Sequence, residues 1–129
     1  MELVEIFKAF GDETRIRILN LLRNDEMCVC EIETILGINQ SNASRHLNKL
    51  KSTGIIDYDK KAQWVYYKMD ENFIKEYPLL YEFFCKEAEK DSKCIYDLKK
   101  WNELKKCNLG CKEIEKDKEN VLKQLGRVQ

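Results

Sequence analysis

The sequence predicts a mainly α-helical fold with a small β-hairpin, a winged helix-turn-helix, and three observations carry that expectation. Within residues 27–54, two short helical patterns are separated by Leu36-Gly37-Ile38-Asn39. Gly suits the left-handed position past a helix end, and Asn suits the N-cap of the next helix. From Asn39 onward, Ala43, Leu47 and Leu50 recur at i, i+4, i+7 as one apolar stripe, and the opposite face carries Ser41, Asn42, Arg45, Asn48, Lys49 and Ser52, with Ser44 and His46 on its flanks. Such side chains donate to phosphates and read base edges, and no acidic residue interrupts them. After Gly54, Ile55–Asp59 and Trp64–Met69 are rich in β-branched and aromatic residues and are joined by Lys60-Lys61-Ala62-Gln63. They read as a hairpin with a basic tip. A solvated helix in a bundle is the plainer reading of residues 39–52 alone, but a helix-turn-helix followed directly by a basic wing is a far more specific signal of nucleic-acid binding than either alone.

In chain order, Leu3, Ile6, Phe7 and Phe10 make an amphipathic first helix ending at Gly11. Asp12 can N-cap a second helix whose Ile16, Ile18, Leu19, Leu21 and Leu22 read as core. A third helix runs from near Cys28 to near Leu36 and supports the recognition helix. Past Met69 the helical pattern returns, with Asp70 as N-cap and Pro78 marking a bend or a fresh first turn. The stripe Leu79, Leu80, Phe83 and Phe84 is the expected dimerisation helix, because a lone winged helix would leave it and the first helix partly uncovered. We divide the chain into a DNA-binding and dimerisation domain, residues 1–92, and a Cys-bearing helical extension, residues 93–129, with a break at Asn108-Leu109-Gly110.

The chain of 129 residues has a formal net charge of zero, which at first argues against DNA. Its distribution does not. Residues 1–39 hold four basic and eight acidic side chains, whereas residues 40–68 hold six basic and two acidic ones. Nucleic acid responds to the local patch. The expected DNA-contacting residues are Gln40, Ser41, Asn42, Ser44, Arg45, His46 and Lys49 on the helix and Lys60, Lys61 and Gln63 on the wing. No apolar run is long enough to span a membrane, and the N-terminus does not read as a signal peptide, so a cytoplasmic protein without a membrane partner is expected. No triad, paired carboxylates or phosphate loop points to an enzyme.

Six cysteines in a chain kept reduced point to thiolate ligands or redox sensing sooner than to a disulfide framework. Cys28-Val29-Cys30 is the chemical centre, since thiolates select soft ions. Side chains at i and i+2 of a regular helix diverge by about 200°, so a shared ion would require the first turn of the third helix to distort. Cys107 and Cys111 offer two further thiols beside a glycine. Cys85, within an apolar stripe, reads as core, and Cys94 is undecided.

Four stretches in this order and spacing carry a family resemblance: Phe10-Gly11-Asp12-Glu13-Thr14-Arg15-Ile16-Arg17-Ile18-Leu19, Cys28-Val29-Cys30-Glu31-Ile32, Gln40 to Leu50, and Trp64-Val65-Tyr66-Tyr67. Over roughly residues 3–85, about two thirds of the chain, the sequence resembles the ArsR/SmtB family of metalloid- and metal-responsive repressors. The resemblance implies a homodimeric winged-helix repressor, with terminal helices at its interface, that leaves an inverted-repeat operator in double-stranded DNA when a toxic ion binds. It also implies trivalent arsenic or antimony as inducer, with cadmium, lead or zinc as the alternative. Two departures stand out. The arsenical repressors carry Cys-x-Cys-x-x-Cys on the third helix, and Glu33 occupies the last of these positions here. Many relatives have Gly at the wing tip where this chain has Ala62, which costs about 1 kcal/mol if the backbone there needs positive φ. A site built from Cys28, Cys30 and at least one of Cys107 and Cys111 would supply three thiolates. Relatives that sense zinc or nickel through histidines on the last helix are a poor match, because His46 is the single histidine. A structural zinc module using the four cysteines 28, 30, 107 and 111, and a thiol-redox switch between Cys28 or Cys30 and a tail cysteine, are the competing readings.

Overall fold

The computed structural model describes residues 2–106. Cys107 and Cys111, both expected ligands, lie outside the described residues. The elements are α1 (Leu3–Phe10), α2 (Glu13–Leu22), β1 (Met27–Cys28), α3 (Val29–Leu36), α4 (Gln40–Ser52), β2 (Ile56–Lys61), β3 (Trp64–Met69), α5 (Glu71–Glu76), α6 (Pro78–Ala88) and α7 (Ser92–Lys106). Helix boundaries follow local hydrogen-bonding chemistry. The side chains of Asp12, Asn39 and Asp70 accept the orphan backbone N–H groups at the starts of α2, α4 and α5. Gly37 closes α3 at φ +67°, a left-handed conformation that a side chain would strain, and Pro78 occupies the first turn of α6.

β2 and β3 pair antiparallel as the hairpin, from Ile56 opposite Met69 to Lys61 opposite Trp64. Their tip places Ala62 at φ +57°, the positive-φ position at which glycine is the relaxed residue. β1 adds a third strand on the other side of β3, with Met27 opposite Tyr67 and Cys28 opposite Tyr66. Sequence patterning missed it, since two residues carry no periodicity. The core joins Ile18, Leu19, Leu21, Ile32, Ile35, Leu47, Leu50, Ile55 and Phe73, all buried.

The third helix runs as expected, from next to Cys28 to Leu36, and one detail differs. Cys28 is not helical: at φ −83° and ψ 164° it is the extended N-cap of α3. The first-helix stripe also divides, because Ile6 is buried while Leu3, Val4 and Phe7 are more than half exposed. Leu79 and Phe83 of α6 are likewise 80% and 64% exposed, beside an open apolar cleft of about 300 Å³ that Phe7, Phe10, Leu80, Phe84 and Cys94 also line.

Residues 93–106, from the region expected as an extension, pack into the same core as the rest. Cys94, Trp101 and Leu104 of α7 are buried. Arg17 of α2 grips Asp97 with two bonds of 2.8 Å, and the carboxylate has no solvent exposure. Asn20 donates to the Cys94 carbonyl at 3.1 Å, and the Lys100 ammonium donates to the Ile35 carbonyl at 2.8 Å. That last bond satisfies an acceptor in the final turn of α3, directly before the turn into α4. No helix among the described residues is long and apolar enough to cross a membrane.

Candidate nucleic-acid interface and thiol site

The apolar stripe of α4 is buried completely, with Ala43, Leu47 and Leu50 at zero exposure. This orients the opposite face outward. Gln40, Ser41, Arg45 and Asn48 are exposed, and Asn42, Ser44 and Lys49 are half-buried. The Arg45 guanidinium donates to Asn42 Oδ1 at 2.9 Å, so two side chains suited to base edges stand together one turn apart. The wing presents Lys60, Lys61 and Gln63 to solvent.

His46 is the correction on this helix. It was expected to reach DNA, but its residue is 3% exposed and its ring lies between Arg15 and Arg45 at 3.2 Å from each. Helical spacing had placed it on the flank of the polar face, and α2 packs over that flank. Burial lowers its pKa from the ordinary histidine value, as do the charges of Arg45 and Arg15, against the pull of Asp12. The ring is therefore neutral at physiological pH.

The basic patch is smaller than the residue count implied. Lys49 pairs with Glu5 of α1 at 3.5 Å, Lys68 pairs with Asp59 at 2.8 Å, and Lys61 pairs with Glu26. Among the described residues, Arg45, Lys51 and Lys60 are the cations of this surface outside any ion pair, Lys51 lying over the Tyr58 ring at 4.6 Å. Pairs this exposed are worth little and can exchange partners with phosphates.

The two sulfurs converge. Because Cys28 is extended and Cys30 sits in the first turn of α3, their Sγ atoms approach to 3.1 Å. The 200° divergence of helical neighbours does not apply to a pair that straddles a helix start, so the expected unwinding is not needed. Glu31 accepts the backbone N–H of Cys28 at 2.9 Å, which locks the entry into α3 as a capping box. Cys28 is 2% exposed and disulfide-bonded, while Cys85 and Cys94 are free thiols. Burial, reinforced by Asp91 and Asp97, pushes the Cys94 thiol up to about 12, which disfavours its thiolate. Cys85 is half-buried on α6 beside Tyr81, whose phenol is likewise pushed up to about 12. Among the described residues, no three Cys, His, Asp or Glu side chains gather as a metal site.

The thiol pair also occupies a mechanical junction. Cys28 pairs with Tyr66 of the wing strand, and α3, which begins at the next residue, packs against α4. The wing strand thus pairs directly with the segment that carries the sulfurs, and α4 is one packed helix away. That link depends on β1, and the sequence signal for it was absent.

Known proteins share the fold. Residues 12–58 match the family described as "Bacterial regulatory protein, arsR family". A cadmium resistance transcriptional regulatory protein CadC homolog of Staphylococcus aureus is 38% identical over 77 residues, 59% of this chain and 64% of that protein. An HTH-type transcriptional regulator of Methanocaldococcus jannaschii is 48% identical over 73 residues, 56% of this chain and 82% of that one. The arsenic resistance transcriptional regulator ArsR1 of Pseudomonas putida is 43% identical over 65 residues, 50% of this chain and 51% of it. The chain thus spans less than two thirds of the cadmium and arsenic regulators. Among solved structures, HlyU from Vibrio cholerae superposes with a TM-score of 0.54 at 34% identity, covering 64% of this chain and 90% of HlyU. The homodimeric winged helix-turn-helix domain of Mb0332 from Mycobacterium bovis superposes at 0.56 with 27% identity, covering 70% of this chain and 84% of that fragment.

Proposed function

From the premise that this chain belongs to the arsR family of bacterial regulatory proteins, DNA-binding transcriptional regulators and not enzymes, we propose that it is a homodimeric repressor that releases operator DNA when a thiophilic ion binds Cys28 and Cys30. The observation that carries this reading is the 3.1 Å approach of the two sulfurs at the junction of α3 and the wing. Two soft donors at one point fit an ion that favours sulfur; once the Cys28 disulfide is reduced, both thiols must lose their protons to bind it. The preferred inducer is trivalent arsenic or antimony, and cadmium, lead or zinc is the alternative; relatives are named for arsenic and for cadmium. Trivalent arsenic takes three sulfurs, so Cys107 or Cys111 is the proposed third donor, from the same or the partner subunit. Ligation would draw on the start of α3 and on β3 together, tilting α4 and the wing as a unit. Arg45, Gln40, Ser41, Asn42, Ser44 and Asn48 are the proposed base and phosphate contacts, and Lys49, Lys60, Lys61 and Gln63 the backbone contacts. The exposed faces of α1 and α6 are the proposed dimer interface, which would set two recognition helices on an inverted repeat.

The test is an ion panel on the reduced protein bound to a duplex selected from a random library. Arsenite or antimonite should release it, Cys28→Ser with Cys30→Ser should still bind and no longer release, and sulfur-edge spectroscopy should count three sulfur ligands. Release by cadmium alone assigns the alternative ion, and release from the double variant overturns the site.

The disulfide at Cys28 favours a second reading, a thiol switch. Peroxide would oxidise two thiols to a disulfide and be reduced to water. Reversible loss of DNA binding on peroxide in ion-free buffer supports it, and full binding after oxidation excludes it.

A further inference from the structure

The buried histidine of α4 poses a hydrogen-bonding conflict. Arg15 is anchored to α1, its Nε donating to the Ala9 carbonyl at 2.8 Å and its Nη2 to the Lys8 carbonyl at 2.9 Å, which leaves Nη1 facing His46 Nδ1 at 3.2 Å. Across the ring, Arg45 Nη2 stands 3.2 Å from Nε2. A guanidinium only donates, and a neutral imidazole has one accepting nitrogen, so the ring cannot accept from both. Arg15 is held by two carbonyls and cannot turn away, whereas Arg45 is exposed and already has Asn42 Oδ1 at 2.9 Å. The lone pair therefore belongs on Nδ1 and the proton on Nε2, where it meets the Arg45 guanidinium donor to donor. Behind the ring, 3.9 Å from Nδ1, lies the Asp12 carboxylate, the anion onto which Arg45 would otherwise fold.

We propose that His46 is a positioning residue for DNA recognition: its ring screens Arg45 from Asp12 and turns the guanidinium outward, beside Asn42, toward a base edge. The inference rests on Arg45 contacting DNA. Ring neutrality supports it, since a protonated ring would offer no acceptor to Arg15 and would stand as a third cation between two others. Asp12 also N-caps α2 through the Arg15 amide at 3.0 Å, a role that asparagine fills as well. This makes a rescue experiment possible.

The full-length variants are passed through selection on a randomised duplex library and sequenced. Arg45→Ala identifies the position in each half-site that Arg45 reads. At that position His46→Ala should lose about fivefold or more of the preference, the scale of one base contact. His46→Ala with Asp12→Asn should recover much of it, and His46→Ala should add nothing to Arg45→Ala. A role limited to folding would not respond to Asp12→Asn. Thermal unfolding checks each variant; if His46→Ala does not fold, His46→Asn, which retains an acceptor for Arg15 but is too short to screen Asp12, takes its place. Full preference in the histidine variant, or a loss that Asp12→Asn leaves unchanged, overturns the proposal while the Arg45 reading stands. No change of preference in Arg45→Ala overturns both.

Discussion

α6 and α7 are neighbouring amphipathic helices with opposite fates. The α6 stripe leaves Leu79 and Phe83 in solvent, and Phe83 lines one cleft with exposed Phe7 of α1. The α7 stripe is consumed inside the protomer, with Cys94, Trp101 and Leu104 buried and Asp97 clamped by Arg17. An amphipathic pattern says that a face will be covered; it does not say whether the same chain covers it. The polar groups separate the cases here. α7 matches its carboxylate, a backbone carbonyl and its Lys100 ammonium to partners on α2 and α3. The exposed part of the α6 stripe has only apolar surface to offer, which suits a second copy of itself.

The largest expected effect is at the satisfied face. Asp97→Ala strands the Arg17 guanidinium, whose side chain is 20% exposed, and should cost about 3 kcal/mol in denaturant unfolding. A cost below about 1 kcal/mol would mean that α7 is only laid against the domain. At the uncovered face the same test should give the opposite result. Phe83→Glu should change protomer stability by about 0.5 kcal/mol or less, since the residue is 64% exposed, while sedimentation at micromolar concentration shifts from dimer to monomer. A wild-type monomer, or a dimer that survives the substitution, would refute α6 as the interface.

A titration sharpens the contrast between interior and surface polar groups. His46 has its pKa lowered in the folded state from 6.5, so near that pH the unfolded chain binds more protons. Stability should be full above about pH 6.5 and decline as pH falls through it, and His46→Asn should flatten this slope. An unchanged slope would assign it to other groups. The smallest effect is expected at the wing tip, which belongs to neither face. Ala62→Gly relieves positive φ and should raise stability by about 0.5–1 kcal/mol without altering dimerisation. Destabilisation would show that the alanine methyl is packed.

What the sequence determined by itself was local. Asp12, Asn39, Asp70 and Gly37 mark helix ends because their hydrogen bonds or backbone freedom act within three or four residues. Ala43, Leu47 and Leu50 mark the inner face of α4 because helical spacing alone aligns them. The outer face of α4 and the basic wing were readable for the same reason. Tertiary structure decided whatever joins residues distant in the chain. The pairing of Cys28 with Tyr66 makes that cysteine extended and brings the thiols together without unwinding α3. The packing of α2 buries His46, and ion pairs with Glu5 and Glu26 engage two of the counted lysines. Arg17 and Asp97, eighty residues apart, join α7 to the domain. Periodicity reports which side of a helix is apolar, but a buried polar group is stable only when a specific partner meets it, and that partner is supplied by the fold.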